Sequence, residues 1–194
     1  MLIEHRGEQP AVHSDAYVAP TAVVSGNVTI AAGARVLHGA VLSAEDGSIH
    51  IGVNTVIMEN ALVRGRSGHN VSIGDSVMVG PHAHVNGSTV GDEAFIATGA
   101  SLFPGSVVGE GAEVRINAVV QVNTTLAAGE VVPIGWVAVG NPAQLFSPDR
   151  HDEIWAVQST LDFTGTVYGA ATSMREIMKG QSDFYGAHRD DREV

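Results

Sequence analysis

The stretch "VGPHAHVNGSTVG", Val79 to Gly91, carries His82 and His84 one residue apart and Asn86 two further on. Imidazole nitrogens bind late first-row metals and exchange protons near neutral pH. Upstream stand His38, Glu59 and Arg64. The Arg64 guanidinium can grip a carboxylate or phosphate with two parallel hydrogen bonds. Glu59, or a histidine such as His38, can act as general acid or base, and the Asn86 amide can hold a substrate carbonyl. Two chemistries are open. In one, His82 and His84 hold a divalent metal (Zn, Fe, Co or Ni), with Glu59 or His38 completing the set. In the other, a metal-free pocket built on Arg64, Asn86, Glu59 and His38 takes a small anionic or acyl substrate through lyase, hydratase or hydrolase chemistry. Each has a plainer alternative: two polar histidines at a wet interface, or an Arg64–Glu59 ion pair that only holds subunits together. The direction of each side chain decides between them.

A repeat sets those directions. Val18, Val24, Ile30, Val36 and Leu42 recur every six residues; Ile51, Ile57, Val63 and then Ile73, Val79, Val85 follow after short breaks. After a five-residue step to Val90, the six-residue step continues through Ile96, Leu102, Val108, Val114, Val120, Leu126 and Val132. Two residues before each stands something mostly small, such as Ala22, Ala34, Ala61, Ala83 or Ala100. A helix of period 3.6 cannot keep this register, whereas in a strand residues two apart share a side. Each hexad is therefore a short strand and a corner, three hexads make a triangular coil, and the coils stack into a solenoid. The fold class read from this is an all-β solenoid, a parallel β-helix with C-terminal α-helices. The solenoid covers 10–146. Ser43 to His50 and Gly65 to Asn70 read as loops pushed out from corners.

From Ser147 the pattern becomes helical. Ser147 reads as an N-cap with Pro148 in the first turn, and Ile154, Val157 and Leu161 as an apolar face. A second helix is expected across "ATSMREIMKG", stopped by Gly180. Residues 147–180 are thus read as helices packed on the solenoid, and 181–194 as a charged, disordered tail.

Composition narrows the partners. The formal net charge is −11 and Lys179 is the only lysine, which argues against nucleic acid. With no cysteine, disulfides, thiolate metal sites and a Cys nucleophile are excluded. The start has no apolar core of a signal peptide, and no apolar run spans a bilayer, so a cytoplasmic protein without a membrane partner is the reading.

Within the hexad that ends at Val85, Ala83 and Val85 point inward. His84 and Asn86 then share an outer wall, with Arg64 stacked beside Asn86 and with Phe103 and Gln121 extending the row. His38, Glu59 and His82 sit on the neighbouring corner. In a side-by-side assembly, that corner of one subunit meets this wall of the next. Of the other histidines, His5 and His13 precede the repeat, His50 and His69 at loop edges read as solvated, and His151, in the first turn of its helix, reads as neutral.

The segments "VAPTAVVSGNVTI", "VLHGAVLSAEDGSIHIGVNTVIMENALV", "GHNVSIGDSVMVGPHAHVNGSTVGDEAFIATGASLFPGSVVG" and "VAVGNPAQ" resemble the γ-class carbonic anhydrases and their relatives among the hexapeptide-repeat β-helix proteins. The resemblance implies a left-handed parallel β-helix and a homotrimer with zinc held between subunits by three histidines. Aligned hexad by hexad, those positions hold Arg64, Pro81 and Asn86 here. The family's Arg and Asp in the first loop correspond to Ser43 and Glu45, and its Gln–Asp pair to Met58 and Glu59. Zinc-bound hydroxide needs an open three-ligand site, so weak or no carbonic anhydrase activity is expected. An acyltransferase with coenzyme A between coils and a non-catalytic assembly protein are the alternative readings.

Overall fold

The computed structural model describes residues 1–169 and 173–194. A parallel β-helix with three faces fills most of the chain. The first face stacks seven two-residue strands, from Tyr17–Val18 to Val131–Val132, in unbroken register. The second carries Val23–Gly26, Val41–Ala44, Leu62–Gly65, His84–Asn86, Ser101–Leu102, Val119–Val120 and Val137–Val139. The third carries Ala11–Val12, Val28–Ile30, Ile49–Ile51, Val71–Ile73, Thr89–Val90, Val107–Val108 and Thr125–Leu126. The handedness is that of the left-handed hexapeptide-repeat helices.

The inward residues are those of the six-residue step. Val24, Leu42, Val63, Val85 and Leu102 are fully buried on the second face, and Val36, Ile57, Val79 and Ile96 on the first. Burying each such side chain is worth about 1.5–3 kcal/mol. Where the small position is polar, it is bonded: the buried Thr55 hydroxyl donates to Gly74 O (2.7 Å) and accepts from Val77 N (3.0 Å).

Corners need positive φ. Gly39, Asn60, His82 and Gly99 stack in one such column, with φ of 74°, 59°, 57° and 68°. Gly39 is required there, because a Cβ would lie 2.2 Å from the Asn60 Oδ1. His82 therefore has a backbone role: histidine is among the side chains that tolerate this region.

One of the two expected loops is different. Val41–Ile51 is a single 11-residue strand that turns from the second face to the third. It lies between Val23–Ile30 and the following coil, pairing on both sides, and a register shift between Gly26 and Val28 absorbs its extra length. Gly65–Asn70 does protrude, closed by paired backbone bonds between Arg66 and His69 (3.0 and 2.8 Å).

The C-terminal segment also departs from expectation. Helix α1 spans His151–Gln158 and starts after Arg150, without a side-chain cap. Ser147 instead accepts the Arg150 N–H on its carbonyl, forming a turn before the helix. Helix α2, Phe163–Tyr168, was not foreseen. Of the second expected helix, residues 171–172 lie outside the described ones. Helix α3 runs over Met174–Tyr185, opened by a capping box between Ser173 and Glu176, and passes through Gly180 without stopping. The tail is ordered: a 3₁₀ turn at Gly186–Asp190 leads to Arg192–Glu193, which pairs antiparallel with Leu2–Glu4. Its charge does not free it, because two of its side chains are bound by ring nitrogens and a buried carboxylate, as described below.

Candidate functional site

Strand pairing places Asn86 directly beside Arg64 and His84 beside Leu62. Arg64, His84 and Asn86 thus share the outer wall of the second face, in the arrangement the hexads predict. Four buried side-chain atoms among the described residues have no hydrogen-bond partner in the protein: Ser25 Oγ, Arg64 Nε, His84 Nε2 and Gln121 Oε1. All four belong to this wall. Buried polar atoms are nearly always paired within the protein, and on this wall these four are not.

Helices α2 and α3 fold back over its edge. Asn123 Nδ2 donates to Leu161 O (3.2 Å) and Thr166 Oγ1 (3.1 Å), which anchors α2. The Arg64 guanidinium lies 5.8 Å from the Tyr185 ring centroid and Arg66 4.3 Å from that of Phe184. Between wall and helices opens a cleft of about 890 Å³, whose lining includes Arg64, Arg66, Asn86, Phe103, Phe163, Gln181 and Tyr185. Neither arginine forms an ion pair among the described residues. Arg66 donates to Gln181 Oε1 (3.5 Å) and Asp46 also lines the cleft, so Arg64 beside the Asn86 amide is the group that suits a small carboxylate or phosphate. His84 sits at the margin, edge-on to Phe103 with centroids 6.2 Å apart. Burial and then the Arg64 charge hold its pKa below the ordinary histidine value, so the ring is neutral near pH 7.

The other sequence candidates lie round the corner. His38 is exposed and its Nδ1 shares a hydrogen bond with the Thr21 hydroxyl (2.8 Å). Glu59 and His82 stack above it, the His82 N–H donating to Glu59 O (3.1 Å). Within one chain the structure does not bring His38, Glu59 and His82 into the cleft with Arg64 and Asn86. Nor, among the described residues, do His82 and His84 belong to any group of three potential metal ligands.

A different group does. His5, Glu45 and His188 place one ligand atom each within 4.8 Å of one another. His5, a weak candidate by its position before the repeat, is buried, as is Glu45. Its Nδ1 bonds Asp191 Oδ1 (2.6 Å), while His188 bonds Asp191 Oδ2 (2.9 Å) and Glu45 Oε2 (3.0 Å). Burial opposes charge on His188, but its bonds and proximity to Asp191 and Glu45 outweigh this and raise its pKa. Burial also raises the Asp191 pKa, yet the two histidines pull it below the usual range. Chain reading missed this cluster because its members come from both ends and the second coil. The one local signal was His188 and Asp191 three residues apart in the tail.

No protein-family model matches the chain. It is 38% identical over 151 residues to "Gamma carbonic anhydrase 1, mitochondrial" of Arabidopsis thaliana, covering 75% of this chain and 53% of that protein. It is 24% identical over 168 residues to the carnitine operon protein CaiE of Escherichia coli K12, covering 86% and 83%. A hexapeptide transferase family protein from Anaplasma phagocytophilum superimposes with a TM-score of 0.55 at 25% identity, over 84% of this chain and 92% of that one. The chain belongs to the γ-carbonic-anhydrase-like hexapeptide-repeat family. This γ-carbonic-anhydrase-like chain spans about half the length of the plant relatives it matches. No helix among its described residues is long and apolar enough to cross a membrane.

Proposed function

We propose that this γ-carbonic-anhydrase-like protein binds a small anionic or acyl substrate against the Arg64–Asn86 wall and has weak or no carbonic anhydrase activity. The observation that carries this reading is Arg64, without an ion pair among the described residues and with a buried, unpartnered Nε, beside Asn86 and Arg66 in the cleft. At the positions where the family resemblance implies zinc histidines stand Arg64, Pro81 and Asn86. Zinc does not suit that donor set: Arg64 and Pro81 offer no side-chain lone pair, and the Arg64 charge already disfavours a cation at His84. In this reading Arg64 holds the anion and Asn86 its carbonyl, while His84, neutral and outside the cleft lining, packs at its margin against Phe103.

The protein works as a homotrimer in this reading, with the His38–Glu59–His82 corner of one protomer facing the wall of the next. Supporting it, that corner separates the wall and its unpartnered atoms from a first face with exposed Tyr17, Met78, Phe95 and Val131. The plant relatives are named as mitochondrial; the setting in this reading is cytoplasmic.

Calorimetric titration with bicarbonate, acetate and phosphate tests the proposal. Saturable binding is expected in the natural chain, lost in Arg64→Ala and partly kept in Arg64→Lys. Binding that survives Arg64→Ala overturns it. Tight coenzyme A binding would favour the acyltransferase reading instead.

A further inference from the structure

Four side chains meet where the two ends of the chain close over the second coil. We propose that His5 Nε2, His188 Nε2 and Glu45 Oε2 form a site for one divalent transition-metal ion of the zinc class, with Asp191 orienting both imidazoles. This site adjoins the Arg64–Asn86 wall, Ser43 pairing with Arg64 in the next coil, but it uses other side chains and does not rest on the reading of that wall.

Tautomers come first. Asp191 as a carboxylate only accepts, so the Nδ1 of His5 (2.6 Å) and of His188 (2.9 Å) must each carry a proton. Both Nε2 atoms are thereby turned away from Asp191 and toward Glu45. A carboxylate on the far nitrogen is the usual support of a metal-binding histidine; here one carboxylate supports two. The Ser43 hydroxyl donates to Glu45 Oε1 (2.8 Å), which leaves Oε2 as the free ligand.

The spacing agrees. A tetrahedral ion with bonds of about 2.0–2.1 Å sets its ligands about 3.3 Å apart. Glu45 Oε2 lies 3.0 Å from His188 Nε2 and 3.8 Å from His5 Nε2. The rings stack with centroids 4.3 Å apart and planes 23° apart, so they must splay on binding for both in-plane Nε2 lone pairs to converge on one ion. Two nitrogens and one oxygen suit Zn, Co or Ni. His188 is about one-third exposed, which leaves a coordination position for water.

Two groups compete with the ion. The bond from His188 to Glu45 requires a proton on Nε2, and the ion replaces it, releasing the proton to solvent. Arg6 Nε donates to His5 Nε2 (3.2 Å). Arg6 is exposed and also held by Phe184 O (3.0 Å) and the Phe184 ring, onto which it can withdraw.

The test uses the full chain, made without a histidine tag and stripped with chelator, titrated with Co²⁺ and then Zn²⁺. One Co²⁺ per chain with visible ligand-field absorption, displaced by Zn²⁺, is expected. His5 is buried, so the deciding variants are the more accessible ones, with far-ultraviolet circular dichroism showing that each is folded. His188→Gln should abolish the absorption, Asp191→Asn should weaken affinity about 10–100-fold, and Arg6→Ala should tighten it. His84→Gln should change nothing. The proposal fails if the natural chain shows no Co²⁺ absorption, if His188→Gln binds as before, or if His84→Gln removes the ion.

Discussion

His5 Nδ1 and Asp191 Oδ1 stand 2.6 Å apart although 186 residues separate them. Around this bond the chain ends pair as strands, Ile3 with Glu193 and Glu4 with Arg192, and Val194 N donates to Leu2 O (3.0 Å). Since His5 is buried, removing Asp191 leaves its Nδ1–H without a partner. In chelator-treated protein, Asp191→Ala should lower the unfolding free energy by about 1.5–3 kcal/mol, the cost of losing a hydrogen bond to a charged group. Urea denaturation should show a lower midpoint at unchanged slope. An unmoved midpoint would mean that the clasp contributes nothing to stability.

Leu102 lies in the inward ladder of the second face, fully buried between Val85 and Val120 in the adjacent coils. Close packing on both sides prevents collapse into the space a truncation would leave. Leu102→Ala should destabilise the chain by about 2–5 kcal/mol, read by the same denaturation.

His82 separates a backbone role from a ligand role. At φ 57° it occupies a left-handed corner position. His82→Asn should be nearly neutral for thermal stability, whereas His82→Val should cost about 1–2 kcal/mol because a β-branched side chain resists that conformation. If His82→Asn nonetheless abolishes metal binding in the natural protein, the ion belongs at this corner and not at the chain ends.

The lowered pKa of His84 carries a pH dependence of definite sign. Burial and the Arg64 charge hold the folded value below the ordinary 6.5. The unfolded chain then takes up a proton first as pH falls, so stability is full above pH 6.5, declines below it, and levels off under the folded value. His84→Gln should remove this part of the acid-side loss. Parallel pH-dependent denaturation curves for the two proteins would refute the assignment.

The solenoid was legible because its signal is repetitive. Val36, Leu42, Val63, Val85 and Leu102 each repeat one environment, and every hexad confirms the last. The wall followed from the same period: once Val85 points in, His84 and Asn86 must point out. The strand Val41–Ile51 was misread as a loop because its polar sequence, "SAEDGS", gives no apolar alternation. Its extended form comes from the coils on either side. Helix α3 ran past Gly180 for a related reason: Ile177 is buried and the helix lines the cleft with Gln181 and Tyr185, contacts that outweigh a weak helix former.

The sequence alone, through a local period of six, determined the coil, its inward ladder and the side-chain directions within each regular hexad. Only the tertiary structure decided what covers that coil. Helices α2 and α3 roof the wall, and His5, Glu45, His188 and Asp191 converge from the chain ends and the second coil. Periodicity reports which way a residue faces within its own strand, because that is a property of the backbone. Which distant segment meets it depends on shape and charge brought together across the whole chain, and no local pattern encodes that.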